Sequence, residues 1–364
     1  MNKKFLKNGL LFIVLIIAAS PAAARRPKNF RLRWKKHPAA EGTVASTAAA
    51  RGPLRVMPGR WTPAVRAALD GFLAERGKDS PGYDASKPPV AVLPWSDALV
   101  TGDPAELVFL RMTTDVDFRF QDEWWEIIPV ASGRQPARAA YNHFISLSSA
   151  VWQSQPDYHH YRKEVLNSYI GLCREVGRRE CRQYLMRLWA GWSEDQAVEY
   201  SIRVLAAEKE RPSGTEMVYA EEGDKTPLRV RRGLAVVSEM RDLVKKLLAS
   251  GVDVWIVDDV PQPVLLAATI DYEIDPRRVY GIRAVPEGKR YSAAVLKPVP
   301  TRGGKAEAVK ASLGRPPDLV FARDAADIEL MSYGRGLRII LTGDKDLEAK
   351  AREMGWMKQP TLAR

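Results

Sequence analysis

The sequence predicts an α/β fold: a parallel sheet covered by helices, with a mainly helical block inserted after the first strand. Three observations predict it. Short apolar runs at 90–93, 252–257, 319–321 and 337–341 have the length and composition of buried parallel strands. Segments with apolar residues at helical spacing separate the later runs, a rhythm that implies a parallel sheet covered on both faces. Between the first two runs, residues 113–227 carry helical periodicity instead, as in the set Leu185, Leu188, Trp189 and Trp192.

Composition sets the outer limits. The chain has 364 residues, enough for one large domain or two small ones. With 46% hydrophobic and 27% charged residues it has the mix of a globular protein, which argues against a disordered chain, a collagen-like repeat or a multi-span membrane protein. Two cysteines rule out a zinc-cysteine cluster and a disulfide-rich scaffold. With four histidines, a histidine metal site requires nearly all of them to converge. The net charge of +12 favours anionic surfaces or polymers as partners and is silent about fold.

The chain opens with Lys3, Lys4 and Lys7, then an unbroken apolar run from Leu10 to Ala19, then Ser20-Pro21 and the small residues Ala22, Ala23 and Ala24. That is the pattern of a cleaved secretory signal over residues 1–24, with cleavage near Ala24 and a periplasmic or secreted destination. An apolar run of about ten residues is too short to span a bilayer, which takes about 20, so no stable membrane span is expected. Residues 25–59 read as a basic disordered linker: Arg25, Arg26, Lys28, Arg31, Arg33, Lys35 and Lys36 face no acid. Phe30 and Trp34 lie among them, and the segment suits an anionic envelope surface or a nucleic acid.

Order is expected to begin near Trp61, with an amphipathic helix N-capped at Thr62-Pro63. Residues 60–112 form the first part of the core, 113–227 the helical insertion and 228–364 the second part. Trp124, Trp125, Trp152, Trp189 and Trp192 read as core packing of the insertion. His159 and His160 are adjacent; neighbours on a helix point about 100° apart and rarely serve one ion. Cys173 and Cys181 either pair or stay as buried thiols. Residues eight apart on one helix lie about 12 Å from each other, too far for a bridge, so pairing needs a break, which Gly177 supplies. In open α/β sheets ligands bind at the carboxyl ends of strands, which directs attention to residues 94–98, 258–262 and 322–327.

Those strand ends, with Lys305, resemble the haloacid dehalogenase superfamily of phosphatases, most nearly its secreted members of the phosphoserine and phosphorylcholine phosphatase type. The resemblance covers about residues 60–360. It rests on the spacing strand, helical insertion, strand, lysine, strand, and on Ser80-Pro-Gly-Tyr-Asp84, Thr101-Gly-Asp103, Gly304-Lys305-Ala-Glu-Ala-Val309 and Asp327-Ile-Glu-Leu-Met331. It implies a Rossmann-like core with a helical cap. It also implies an aspartyl-phosphate chemistry in which an aspartate attacks, a second aspartate shuttles protons, a Ser or Thr and a lysine hold the phosphate, and further carboxylates hold magnesium.

The residues at those positions depart from that chemistry. Pro94 stands at the nucleophile, Ser96 at the acid/base and Ala98 at the threonine, with Asp97 one place away and expected to face the other side of a continuing strand. Asp258 replaces the hydroxyl that would donate to phosphate. Arg323 replaces the main metal aspartate, and Asp324 the serine after it. Lys305 and Asp327 match. The expectation is a pseudophosphatase with a binding or scaffolding role, no intact catalytic residue and no cofactor, its vacant pocket closed by ion pairs between Arg323, Lys305 and the aspartates. One alternative is an altered phosphomonoesterase using Asp97 and Mg2+ after a one-residue slip of the strand end. Another is an anionic-surface binder working through residues 25–36.

Overall fold

The computed structural model describes residues 54–120, 122–129 and 133–363. The expected signal segment and the tail as far as residue 53 lie outside the described residues. Where the tail is described it is ordered earlier than expected. Val56 is buried, its N–H donating to Asp70 Oδ1 at 2.8 Å, and Met57 N donates to Asp242 Oδ2 at 2.7 Å. Residues 56–57 therefore belong to the folded body: the side chain of Val56 is covered, and polar groups fix both backbone N–H donors.

The core is a six-stranded parallel sheet. Its strands are β1 (Val90–Leu93), β2 (Asp253–Pro261), β3 (Val279–Ile282), β4 (Leu319–Ala322), β5 (Leu337–Thr342) and β6 (Met357–Pro360), in the order β6-β5-β4-β1-β2-β3. All four residues of β1 are buried, as are all four of β4, because helices cover both faces. β3 and β6 escape a reading of apolar runs. Gly281 interrupts β3, where an added Cβ would lie 2.5 Å from Val260 O, so only glycine permits that approach. β6 carries Lys358, Gln359 and Pro360, and Pro is tolerated at a sheet edge.

Helix α1 (Pro63–Arg76) starts as expected. Thr62 Oγ1 accepts from Val65 N at 3.3 Å, Pro63 occupies the first turn, and Val65, Leu69, Phe72 and Leu73 face inward. Burial of each such side chain contributes roughly 1.5–3 kcal/mol. After β1 comes α2 (Pro104–Asp115), capped by Asp103, whose Oδ1 accepts from Ala105 N and Glu106 N. The insertion follows. It comprises helices Asp122–Ile127 and Arg134–Phe144, then α3 (Pro156–Val176), α4 (Arg178–Arg187) and Glu194–Glu210, and a hairpin pairing Gly214–Val218 with Leu228–Arg232. The boundaries expected at 112/113 and 227/228 thus fall inside α2 and inside the hairpin. Four of the five tryptophans are packing, as expected: Trp124, Trp125, Trp189 and Trp192 are buried, and Phe118 and Trp124 lie 4.7 Å apart by ring centroid; Trp152 is only partly buried, its ring 5.7 Å from that of Phe144.

Helix α5 (Gly303–Leu313) carries Lys305 in its first turn. Gly304 is indispensable there, because a Cβ would lie 1.8 Å from Val299 O. No helix among the described residues is long and apolar enough to cross a membrane.

Candidate functional site

The chain order across the sheet fixes where a site can form. From β1 the chain runs outward through β2 to β3, then returns to β4 on the other side of β1 and runs outward again. The crevice at the carboxyl ends of β1 and β4 is the topological switch point. Pro94 to Ala98 and Arg323 to Asp327 meet there.

β1 ends at Leu93, and the chain then turns tightly. Trp95 O accepts from Leu99 N at 2.9 Å, and Asp97 sits at φ 52°, in the left-handed region. The N–H groups of Trp95 and Ser96 point the same way, and both donate to one oxygen, Asp258 Oδ2, at 2.7 and 3.2 Å. Consecutive N–H groups converging like this form an anion cradle. Here the chain's own carboxylate fills it.

Asp258 and Asp259 lie inside β2 rather than beyond its end as expected, since the strand continues to Pro261. Adjacent strand residues ordinarily face opposite sides. The pairing with β3 shifts register between Val257 and Pro261, and this irregularity re-aims both carboxylates toward Arg323. Arg323 Nη2 lies 3.4 Å from Asp258 Oδ1 and 3.2 Å from Asp259 Oδ1, Nη1 donates to Ser96 O at 2.5 Å, and Nε is 3.7 Å from Asp324 Oδ2. The Lys305 ammonium donates to Asp327 Oδ1 at 2.5 Å, and Asp327 Oδ2 accepts the Arg323 N–H at 2.9 Å. Arg323 and Lys305 thus pair with the aspartates at these strand ends, as expected from the sequence.

The insertion adds two cations that the sequence reading missed. Arg178 and Arg182 project from α4. Arg178 Nε donates to Asp259 Oδ2 at 2.6 Å, and its Nη1 is 3.3 Å from Asp324 Oδ2. Arg182 pairs with Asp103, lies 3.7 Å from Glu106 Oε1 and lies 3.7 Å from Asp259 Oδ1. Residues four apart share a helix face, so Arg178 and Arg182 at spacing i, i+4 were the legible signal. What they meet on the core was not legible. The break before α4 is the one expected at Gly177, which adopts φ 81°, and Cys173 and Cys181 are joined as a disulfide with Cα atoms 4.9 Å apart. Of the two alternatives left open, pairing is the one realised.

The charges shift one another. Burial raises the Asp258 carboxyl, Arg323 opposes that, and neighbouring Asp259 adds to it. Burial acts on Asp259 too, but Arg178, Arg182, Arg323 and Lys305 together hold it well below the usual aspartate range. Burial works against the Lys305 ammonium, yet Asp327, Asp258 and Asp259 keep it above the ordinary lysine value. Burial raises Glu106, and Asp103 raises it further. The Ser96 hydroxyl is buried with no hydrogen-bond partner among the described residues.

Asp97 stands apart from this cluster. The sequence reading expected it to face away because strand alternation continued. It lies in a turn instead: Oδ1 accepts from Gly102 N at 3.0 Å and lies 3.2 Å from Arg231 Nη2, with the side chain 41% exposed. Asp97, Arg178, Arg231, Arg323 and Asp324 line a cleft of about 370 Å3. A second of about 420 Å3 is lined by Arg178, Arg302, Asp324, Glu329 and Asp346.

These residues do not fit a magnesium ion. A guanidinium stands among the carboxylates, and each of Asp258, Asp259, Asp324 and Asp327 is already paired with a cation. No group of three or more His, Cys, Asp or Glu side chains among the described residues could hold a metal. His159 Nε2 lies 2.9 Å from Gln153 O. Pro94 has no nucleophilic atom, and both oxygens of Asp258 are engaged.

No family model and no curated protein matches the chain. Solved structures do. A conserved protein of unknown function from Anaerococcus prevotii aligns with TM-score 0.72 at 19% identity, over 83% of this chain and 93% of that one. It shares the fold. A HAD family hydrolase from Salmonella enterica serovar Typhi aligns at TM-score 0.39 and 7% identity, over 72% of this chain and 64% of its own. A substrate-bound phosphoserine phosphatase aligns at TM-score 0.37 and 10% identity, over 72% and 90%. These two carry the names of the family the sequence resembles, at TM-scores too low to support an argument about chemistry.

Proposed function

We propose that this chain is a HAD-type phosphatase homologue that has lost phosphoryl transfer and acts by binding or scaffolding. One observation carries the reading: the cradle formed by Trp95 N–H and Ser96 N–H holds Asp258, and Arg323 clamps Asp258 and Asp259 together. A phosphate dianion needs cations and N–H donors free to meet it and a nucleophile in line. Here the donors and cations are engaged by the protein's own carboxylates, and the nucleophile position is Pro94. Buried pairs of this kind give little net stability because desolvation offsets attraction. Their effect is to keep the charges of a disused pocket compensated.

The destination we propose is outside the cytoplasm. The basic-apolar-small pattern of residues 1–24 supports it, and so does the Cys173–Cys181 disulfide, since such bonds persist in oxidising compartments.

The test is phosphate release from a panel of small phosphomonoesters by the purified protein, with and without magnesium, beside Asp97→Asn. The expected result is no release above the variant. Magnesium-dependent release that disappears in Asp97→Asn would overturn the proposal and favour an enzyme rebuilt around Asp97.

A further inference from the structure

At the opposite, amino-terminal end of the strands a second charge cluster is built differently. Asp318 precedes β4 and is 3% exposed. Its Oδ2 accepts from Val90 N at 2.9 Å and Arg315 Nη1 at 3.3 Å. Its Oδ1 accepts from Arg76 Nη2 at 2.8 Å and from Arg335 Nε and Nη2 at 3.2 and 3.0 Å. A carboxylate offers about four lone-pair sites, so Asp318 is saturated.

The guanidinium groups are not saturated. Each carries five N–H donors. Arg315 gives another to Pro88 O, but the guanidinium groups of Arg76 and Arg335 have no hydrogen-bond partner other than Asp318 among the described residues, and each side chain is 50% exposed. Both contact the same oxygen, so their Nη2 atoms lie within about 6 Å, close enough for like charges to repel strongly. Three guanidinium cations thus share one anion.

The surplus donors border open space. Arg76, Asp318 and Arg335 line a cleft of about 720 Å3, larger than either cleft at the candidate site. Its far wall is small and largely apolar: Ala67, Ala68 and Gly71 of α1, with Leu337. Glu75 is the one acid besides Asp318 in that lining. Forked guanidinium groups match the oxygens of phosphate two at a time.

We propose that this cleft binds a phosphate-bearing small molecule, with its dianionic head between Arg76 and Arg335 and a short apolar body along α1. The phosphate can be carried by a soluble monoester or by a lipid headgroup. The site is independent of the pocket at the carboxyl ends of the strands.

Titration calorimetry with phenyl phosphate and with inorganic phosphate tests this. Saturable binding of phenyl phosphate is expected, weakened at least tenfold in Arg76→Gln/Arg335→Gln. A Cβ added at Gly71 meets nothing within 4 Å, so Gly71→Leu should fold normally and obstruct the cleft without touching the arginines. It should weaken phenyl phosphate several-fold more than inorganic phosphate, and this holds the test open if the double variant fails to fold. Cosedimentation with phosphatidylglycerol vesicles, lost in Gly71→Leu, would support the site with a lipid source; phenyl phosphate binding without cosedimentation supports it with a soluble one. No saturable binding, binding unchanged in Gly71→Leu, or binding abolished by Arg231→Gln at the other pocket would overturn the proposal.

Discussion

The two edges of the sheet hold the same kinds of charge in opposite states. At the carboxyl edge, Lys305, Arg323, Asp258 and Asp259 have side-chain exposures of 0, 6, 0 and 0%, and every carboxylate has its cation inside the protein. At the amino edge, Asp318 is just as enclosed at 4%, but Arg76 and Arg335 are each 50% exposed. The difference shows that an ion pair's meaning depends on where its remaining donors point. Where both partners are enclosed, as Lys305 and Arg323 are with their aspartates, the pairs consume one another. Half in water, they leave donors to spare.

That contrast can be broken from either side. The largest effect is expected from Arg323→Ala, which leaves the buried Asp258 and Asp259 without their shared cation. A loss of about 3–5 kcal/mol in urea unfolding is expected. If the loss is below about 1 kcal/mol, water reaches the pocket and its closure is incomplete. Next comes the disulfide that braces the Gly177 break from which Arg178 projects. Cys173→Ser/Cys181→Ser should cost about 2–3 kcal/mol, the low end for a short loop. It should also give faster amide exchange across α4.

Asp318→Asn sharpens the comparison at the amino edge. A loss of about 1.5–3 kcal/mol at neutral pH is expected, since Asp318 accepts hydrogen bonds from charged donors. Burial would raise the Asp318 carboxyl, but Val90 N–H, Arg335 and Arg76 hold it below the ordinary range. A depressed carboxyl contributes stability above its unfolded value, about 3.9, and loses it as pH falls through the folded one. The gap between wild type and Asp318→Asn should therefore narrow as pH drops below about 4. At the carboxyl edge Asp258 is raised and Asp259 lowered, so their contributions run in opposite directions with pH. The smallest effect is expected from Arg231→Ala, which breaks an exposed pair with Asp97 worth about 0–1 kcal/mol. A larger loss would mean that the Asp97 turn is more than a surface feature.

Much of this was legible in the sequence, for identifiable reasons. β1, β2, β4 and β5 were visible because strands buried on both faces read as apolar runs. β3 was hidden by Gly281, needed for a backbone approach that no pattern records, and β6 by its polar edge sequence. Arg323, Lys305, Asp258, Asp324 and Asp327 were legible as a cluster because strand ends converge at a switch point; Asp259, which pairs with Arg178, Arg182 and Arg323, was not. Arg178 and Arg182 were not, because contacts between the insertion and the core span some 80 residues and depend on where α4 docks. The Asp258 cradle was legible only in half. A carboxylate in place of a hydroxyl was plain, but its seat on two backbone N–H groups required the turn after Leu93.

That seat has a consequence for competition. Asp258 is a competitor that never leaves, held beside its receptor by the pairing of β2 with β1. Groups joined even by a short flexible tether face each other at effective concentrations on the order of millimolar, and a rigid strand presents its side chain at higher values still. A dissolved anion reaching the Trp95–Ser96 cradle at micromolar levels would meet an occupied berth nearly every time. Mass action alone would then keep it out, before any difference in intrinsic affinity counts.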